Sequence, residues 1–218
     1  MHALDRNTVP IPACLIAPPA EWDYSDLRGN EKEEIRTRLL ELQRHRCAYC
    51  ERRTGDQRDD GHIEHFRNQV EHIHLRLSWG NMFWSCNDEK TCGKHKDKCD
   101  RATGPRATFN PNHLIDPSQD DPNNFLLFVV DGTVRPRDGL DEENERRAKE
   151  TLRVFQLADS AYLRKSREDA VKPYVGAINS LLSAGADLVV QYVKGEFARI
   201  EEAPFATTIR QYLEGILA

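Results

Sequence analysis

Two cysteine pairs, Cys47/Cys50 and Cys86/Cys92, enclose a Glu64-His65 dipeptide and Asn81, and His95 closes the series. Four thiolates can hold a tetrahedral zinc whose binding folds a small module. Glu64, His65, Asn81 and His95 can build a second metal site, one equipped for hydrolysis. The order of these residues therefore suits two separate metal tasks, one structural and one catalytic. Taken alone, Glu64-His65 means little; it gains meaning from being bracketed in order by a knuckle, an Asn and a His.

Those residues need elements to carry them. The first 30 residues are rich in proline (Pro10, Pro12, Pro18, Pro19) and read as an extended arm. Asn30 with Glu33 makes a capping box, after which Ile35, Leu39 and Leu42 recur at helical spacing, predicting a helix up to Arg46 that delivers the chain to Cys47. A polar loop containing Thr54, Gly55, Asp59, Asp60 and Gly61 leads to a short strand over His62 to Phe66, and the segment from Asn81 to Cys86 is expected to start a helix or turn. Further on, Thr108 to Pro111 and Asp116-Pro117 are loop material. Phe125 to Val130 with Asp131-Gly132, Thr133 and Val134 predicts a hairpin. From Asp141 the pattern turns helical: Leu152, Phe155 and Leu163 in early helices, Val175 to Leu182 in a third, Leu188 to Val193 in a fourth and Phe205 to Leu217 in a last. Breaks are expected at Gly185 and Pro204. The domains read as an arm (1–30), a metal module (31–106) and a hairpin with a helical C-terminal domain (107–218).

Composition narrows the class. The chain has 218 residues, 31% of them charged, and a mean hydropathy of -0.71. It contains no apolar run of the length a membrane helix needs, and its start lacks the apolar stretch of a signal peptide, so a cytoplasmic location is expected. Five of the six cysteines crowd between Cys47 and Cys99, and in a reducing cytosol metal binding accounts for them better than disulfides. The net charge is -5, but it is unevenly spread. Residues 1–43 carry 5 Lys+Arg and 8 Asp+Glu (-3), residues 44–106 carry 13 and 10 (+3), and residues 107–218 carry 13 and 18 (-5). The basic excess falls on the metal module, where Lys94, Lys96, Lys98, Arg101 and Arg106 cluster as a phosphate-tracking surface requires. A solvated charged face explains the same count.

Cys-x-x-Cys, His62-Ile63-Glu64-His65-Phe66-Arg67, Trp79-Gly80-Asn81 and Cys92-Gly93-Lys94-His95-Lys96 together resemble the HNH endonucleases of ββα-metal fold. Within that family the chain is most similar to the PtuB group of Septu-type and retron-associated antiphage defence, through Leu114 to Pro117, Asp131-Gly132 and Thr151 to Arg167 as well. The resemblance implies an α+β, mainly helical fold: a ββα-metal HNH nuclease module with four-cysteine zinc knuckles, then a hairpin and a helical C-terminal region. It makes His65 the general base and Asn81 the residue that fixes the backbone around it. Glu64 and His95 become ligands of a catalytic divalent ion, with Arg67, Lys94, Lys96 and Lys98 on flanking phosphates. Oxygen from Glu64 with nitrogen from His95 suits Mg2+, Mn2+, Ni2+ or Zn2+ alike. The implied partners are DNA, with RNA second, and a PtuA-like ATPase, with room for a higher-order assembly of the two; no membrane is implied.

Two departures stand out. Many HNH enzymes carry Asp where this chain has Glu64, and Cys86 and Cys92 are separated by five residues instead of two, which leaves room for Cys99 or His72 to replace a thiolate. His62, His72 and His74 read as solvated or structural, and Cys14 as a small core residue. One rival reading is an idle zinc module that only binds nucleic acid or protein, distinguished by whether His65 and His95 converge on one ion. A regulatory protein built on the helical half is the other, and it should tolerate loss of His65.

Overall fold

The computed structural model describes residues 1–55, 57–101 and 109–218; Arg106 and Thr108, named above, lie outside them, as does the side chain of Arg101. The fold is α+β, and the described residues form two separate two-stranded antiparallel sheets among the helices. None of the described helices is long and apolar enough to cross a membrane.

Strand β1 (Gly61–His65) pairs antiparallel with β2 (Met82–Cys86), in register from Gly61↔Cys86 to His65↔Met82. A strand therefore occupies 82–86 where a helix or turn is expected, and only Trp79–Asn81 form a helical turn, of 3-10 type. The reason lies in burial. All five β2 residues are buried, and its side chains alternate between two layers, Met82 and Trp84 toward one cluster and Phe83 toward another. A segment buried on both faces carries no single-stripe signature.

Helix α1 (Gly29–Leu42) supplies the layer beneath Met82 and Trp84 through Ile35, Leu39 and Leu42. Its cap is shifted from the expected one: the Arg28 backbone N–H donates to Glu31 at 2.7 Å, while Glu33 pairs with Arg36. The helix stops at Leu42, short of Arg46, because Arg44 and His45 take left-handed conformations (φ 52° and 54°) and His45 N–H closes onto the Leu40 carbonyl at 2.8 Å.

Helix α2 (Cys92–Arg101) follows β2 and packs on the sheet face opposite α1. Beyond it come a hairpin of β3 (Leu126–Phe128) and β4 (Val134–Pro136), then α3 (Glu142–Val154), α4 (Ala161–Leu182), α5 (Ala186–Ile200) and α6 (Ala206–Leu217). The hairpin turn uses Gly132 at φ 81°, where a Cβ would collide with the Arg164 carbonyl oxygen. Leu163 and Val175 share one helix although separate ones are expected, since α4 runs through Pro173. Pro173 and Asp169 lie on the exposed face, so the carbonyl that Pro173 leaves unpaired is open to water. The breaks at Gly185 (φ 126°) and before Phe205 (φ 56°) fall where expected.

The metal module and the region after it share a core. Tyr49, between the first two cysteines, stacks on Phe155 at the end of α3 (centroids 4.0 Å apart, 19° between planes), and Phe66 and Phe83 join them. A further cluster, among α4, α5 and α6, holds Val171, Ile178, Val193, Ile209 and Leu213. The N-terminal segment contains two 3-10 turns, Arg6–Thr8 and Ala13–Leu15, and is tied down along its length. Met1 and Leu4 are buried with Tyr49, Val9 and Leu15 pack under α1, and the Arg6 guanidinium lies over Phe83 and donates to the Met82 carbonyl at 2.8 Å.

Candidate active site and thiol cluster

The four cysteines meet. Cys47, Cys50, Cys86 and Cys92 are all buried, and their sulfur atoms lie within 4.8 Å of one another. Cys50 and Cys86 Sγ are 3.9 Å apart. In a tetrahedron with Zn–S bonds of about 2.3 Å, neighbouring sulfurs are about 3.8 Å apart, so the donor set fits zinc. Backbone geometry places them: Glu51 N–H closes the first turn onto the Cys47 carbonyl at 3.1 Å, and Glu51 takes a left-handed φ of 62°. Cys92, also left-handed (φ 56°), starts α2 with its N–H on the Phe155 carbonyl at 2.9 Å. The five-residue spacing thus still brings Cys92 to the group. Cys99 instead approaches His95 Nδ1 at 3.7 Å, and His72 lies edge-on to His74, so neither displaces a thiol.

On the α2 face of β1, a cleft of about 420 Å³ is lined by His62, Glu64, His65, Lys96, Asp97 and Asp100, among others. His65, at the end of β1, is 8% exposed. Its Nε2 lies 2.9 Å from the Arg76 carbonyl oxygen, and since a carbonyl can only accept, Nε2 carries the proton and Nδ1 is the bare nitrogen. Burial lowers the His65 pKa, against the opposing pull of the Arg76 carbonyl and Glu64, so the ring is neutral near pH 7. Asn81 uses its whole amide on the chain around this ring: Oδ1 accepts from Arg67 N–H (2.8 Å), and Nδ2 donates to the carbonyls of Arg67 (3.0 Å) and Leu75 (3.1 Å).

Glu64 is 3% exposed. Burial alone would raise its carboxyl, but the Lys96 ammonium 2.9 Å from Oε1 holds it below its usual value. The same carboxylate, with Asp100 at 3.1 Å, overcomes burial to raise Lys96. This corrects one expectation: Lys96 is 1% exposed and neutralises buried Glu64 and half-buried Asp100, so it cannot track phosphates along the surface. Arg67 and Lys94 are half-buried, and exposed Lys98 pairs with Glu89 at 3.1 Å.

His95 is not brought to the cleft. Its Nδ1 hydrogen-bonds the Val154 carbonyl at 2.8 Å, tying α2 to the end of α3. His62, read from sequence as solvated or structural, is the histidine that stands beside Glu64, with Nε2 3.5 Å from Oε2. A signal for it was present: residues two apart on a strand share a face, so His62 and Glu64 must point the same way.

No family model matches the chain. Over 95 residues it is 30% identical to the Septu protein PtuB of Bacillus thuringiensis; the matched stretch covers 44% of this chain and 33% of that protein. The chain thus spans about a third of the length of the curated relative it matches, which relates it to a Septu protein without covering most of either.

Proposed function

We propose that the chain is a metal-dependent HNH-type endonuclease that hydrolyses phosphodiester bonds, in DNA ahead of RNA. The observation that carries the reading is His65, buried, neutral, held through Nε2 and bordering a cleft beside a buried carboxylate. A bare Nδ1 can take a proton from water as the water oxygen bonds to phosphorus and the bond to the leaving oxygen breaks. Asn81 positions that ring through the Arg67 and Leu75–Arg76 backbone and moves no proton itself. A divalent ion at Glu64 supplies, when bound, charge stabilisation at the scissile phosphate. The order β1, β2, α2 beside a thiol cluster is the arrangement the HNH resemblance implies.

The similarity to a Septu protein supports a role in antiphage defence, with a PtuA-like ATPase as partner. The acidic region 107–218 suits docking better than it suits nucleic acid. Cleavage of DNA and RNA by the purified chain, with and without the ATPase and with Mg2+, Mn2+, Ni2+ or Zn2+ added, tests this reading. Loss of cleavage in His65→Ala is expected, and no cleavage by the wild type under any of these conditions would count against it. A second reading, an idle zinc-binding interaction module, is favoured by two observations: Lys96 already neutralises Glu64, and His95 is held on Val154 instead of meeting His65 at the cleft.

A further inference from the structure

His62 and Glu64 turn a pair of metal-ligating atoms toward one another, Nε2 and Oε2 3.5 Å apart. The Asn87 amide orients the imidazole: Nδ2 donates to the Asp59 and Gly61 carbonyls (2.8 and 3.2 Å), which turns Oδ1 toward His62 Nδ1 at 2.9 Å. Nδ1 therefore carries a proton and donates it to Oδ1, which aims Nε2 at Glu64. That Nε2 is shielded from solvent and makes no hydrogen bond. Facing it is Glu64 Oε2 at 3.5 Å, while the other oxygen, Oε1, faces Lys96. A bare imidazole nitrogen and a carboxylate oxygen both present lone pairs, so the arrangement calls for a cation between them. Donors this far apart can both reach one ion through bonds of about 2.1 Å.

The helix leaves the space open. Gly93 passes directly beneath the pair, and a Cβ there would lie 2.6 Å from Glu64 Oε2 and 2.9 Å from His62 Nε2. A carboxylate, an imidazole fixed by an amide on its far nitrogen, and a cradle that any side chain would fill together make a divalent-ion site. Two protein ligands leave the remaining positions to water and phosphate oxygens.

We propose that the divalent ion of this cleft is held by His62 Nε2 and Glu64 Oε2 above Gly93, and that His95 is not a ligand. The proposal deepens the nuclease reading and rests on it for the ion's purpose. The donor pair suits Mn2+, Ni2+ or Zn2+.

Mn2+ is the probe, because it is hard enough to leave a tetrathiolate zinc undisturbed. Its binding to the full-length, zinc-loaded chain is read from loss of the free-Mn2+ paramagnetic resonance signal, with zinc content and circular dichroism measured on every variant. His62→Gln and Gly93→Ala should each weaken binding at least about tenfold, and Asn87→Ala, which frees the imidazole, by roughly tenfold. His95→Gln should leave the affinity within about twofold. If one of the first two variants fails to fold, the other still decides. Absence of Mn2+ binding to the wild type, or binding that falls with His95→Gln and not with His62→Gln or Gly93→Ala, overturns the proposal. Nuclease assays on the same samples separate the two ideas. Mn2+ binding through His62 without cleavage of DNA or RNA removes the nuclease reading and leaves the site; cleavage with Mn2+ affinity indifferent to His62 does the reverse.

Discussion

In the proposed reaction, His65 would take the proton and Asn81 would hold the chain around it. The imidazole offers one bare nitrogen, and three hydrogen bonds from Asn81 hold the segments on either side of it. Removing that amide strips the part-buried N–H and carbonyl of Arg67 of their partner, while the Leu75 carbonyl keeps the Ser78 N–H, and the loss costs roughly 1–3 kcal/mol. Asn81→Ala should therefore lower the urea midpoint and slow cleavage, yet less than His65→Ala does, because the base itself remains. A midpoint equal to wild type would show that water replaces the amide. At this scale residue types were more legible than their surroundings. The four thiols that meet, and the Asn81 amide that lies beside His65, could be picked out from order alone, whereas the burial of Lys96 could not, because a lysine inside a basic run reads as surface until its acid partners are known.

At the scale of elements, the phase of α2 decides which side chains meet. At 100° per residue, Gly93, Lys96, Asp97 and Asp100 form one stripe, toward Glu64 and the cleft, and Cys92, His95 and Cys99 form another, toward α3. The motif fixed His95 next to Lys96 in sequence but gave no phase, and neighbours on a helix face different ways. The i, i+3, i+7 series Cys92, His95, Cys99 was the available clue. Strand β2 was missed for the opposite reason, since uniform burial erases periodicity, whereas the hairpin at Gly132 and the break at Gly185 announced themselves by their turn residues. The thiol cluster joins the turn at Cys47, the end of β2 and the start of α2, so their packing should depend on the metal. One zinc per chain is expected by elemental analysis, and stripping it with a strong chelator should unfold the module, since binding at such sites is worth roughly 10–16 kcal/mol in model fingers. A folded, active, zinc-free preparation would contradict this.

For the whole molecule, the stacking of Phe155 on Tyr49 means that the metal module does not end where its motifs end. A chain cut after Gly139 loses Leu152, Phe155 and Phe205 from the shared core and should be rapidly proteolysed with little cooperative melting; a soluble, cooperatively melting fragment would contradict the shared core. Docking of the proposed ATPase partner is therefore better probed by reversing Glu142 and Glu143, exposed on the first turn of α3, with stability checked because acids there favour the helix. The N-terminal segment adds a pH dependence. Burial lowers His2 from its usual 6.5 to about 3, with Glu51 pulling the other way, and Arg46 donates to its Nε2 at 3.4 Å. Between those values the unfolded chain takes up a proton that the folded chain refuses. This contribution is complete above pH 6.5 and is lost as pH falls toward 3, by at most about 1.4 kcal/mol per unit. Urea unfolding at pH 7, 5.5 and 4.5 should show a shallower loss in His2→Asn than in wild type, and identical slopes would contradict a lowered His2 pKa. The proposed activity turns on His65, and its most direct test is cleavage of DNA with Mn2+ and the proposed ATPase partner present, wild type against His65→Ala. Loss of cleavage by about a hundredfold or more, with zinc content and helicity unchanged, is the result predicted; substantial cleavage by a pure His65→Ala protein would contradict it.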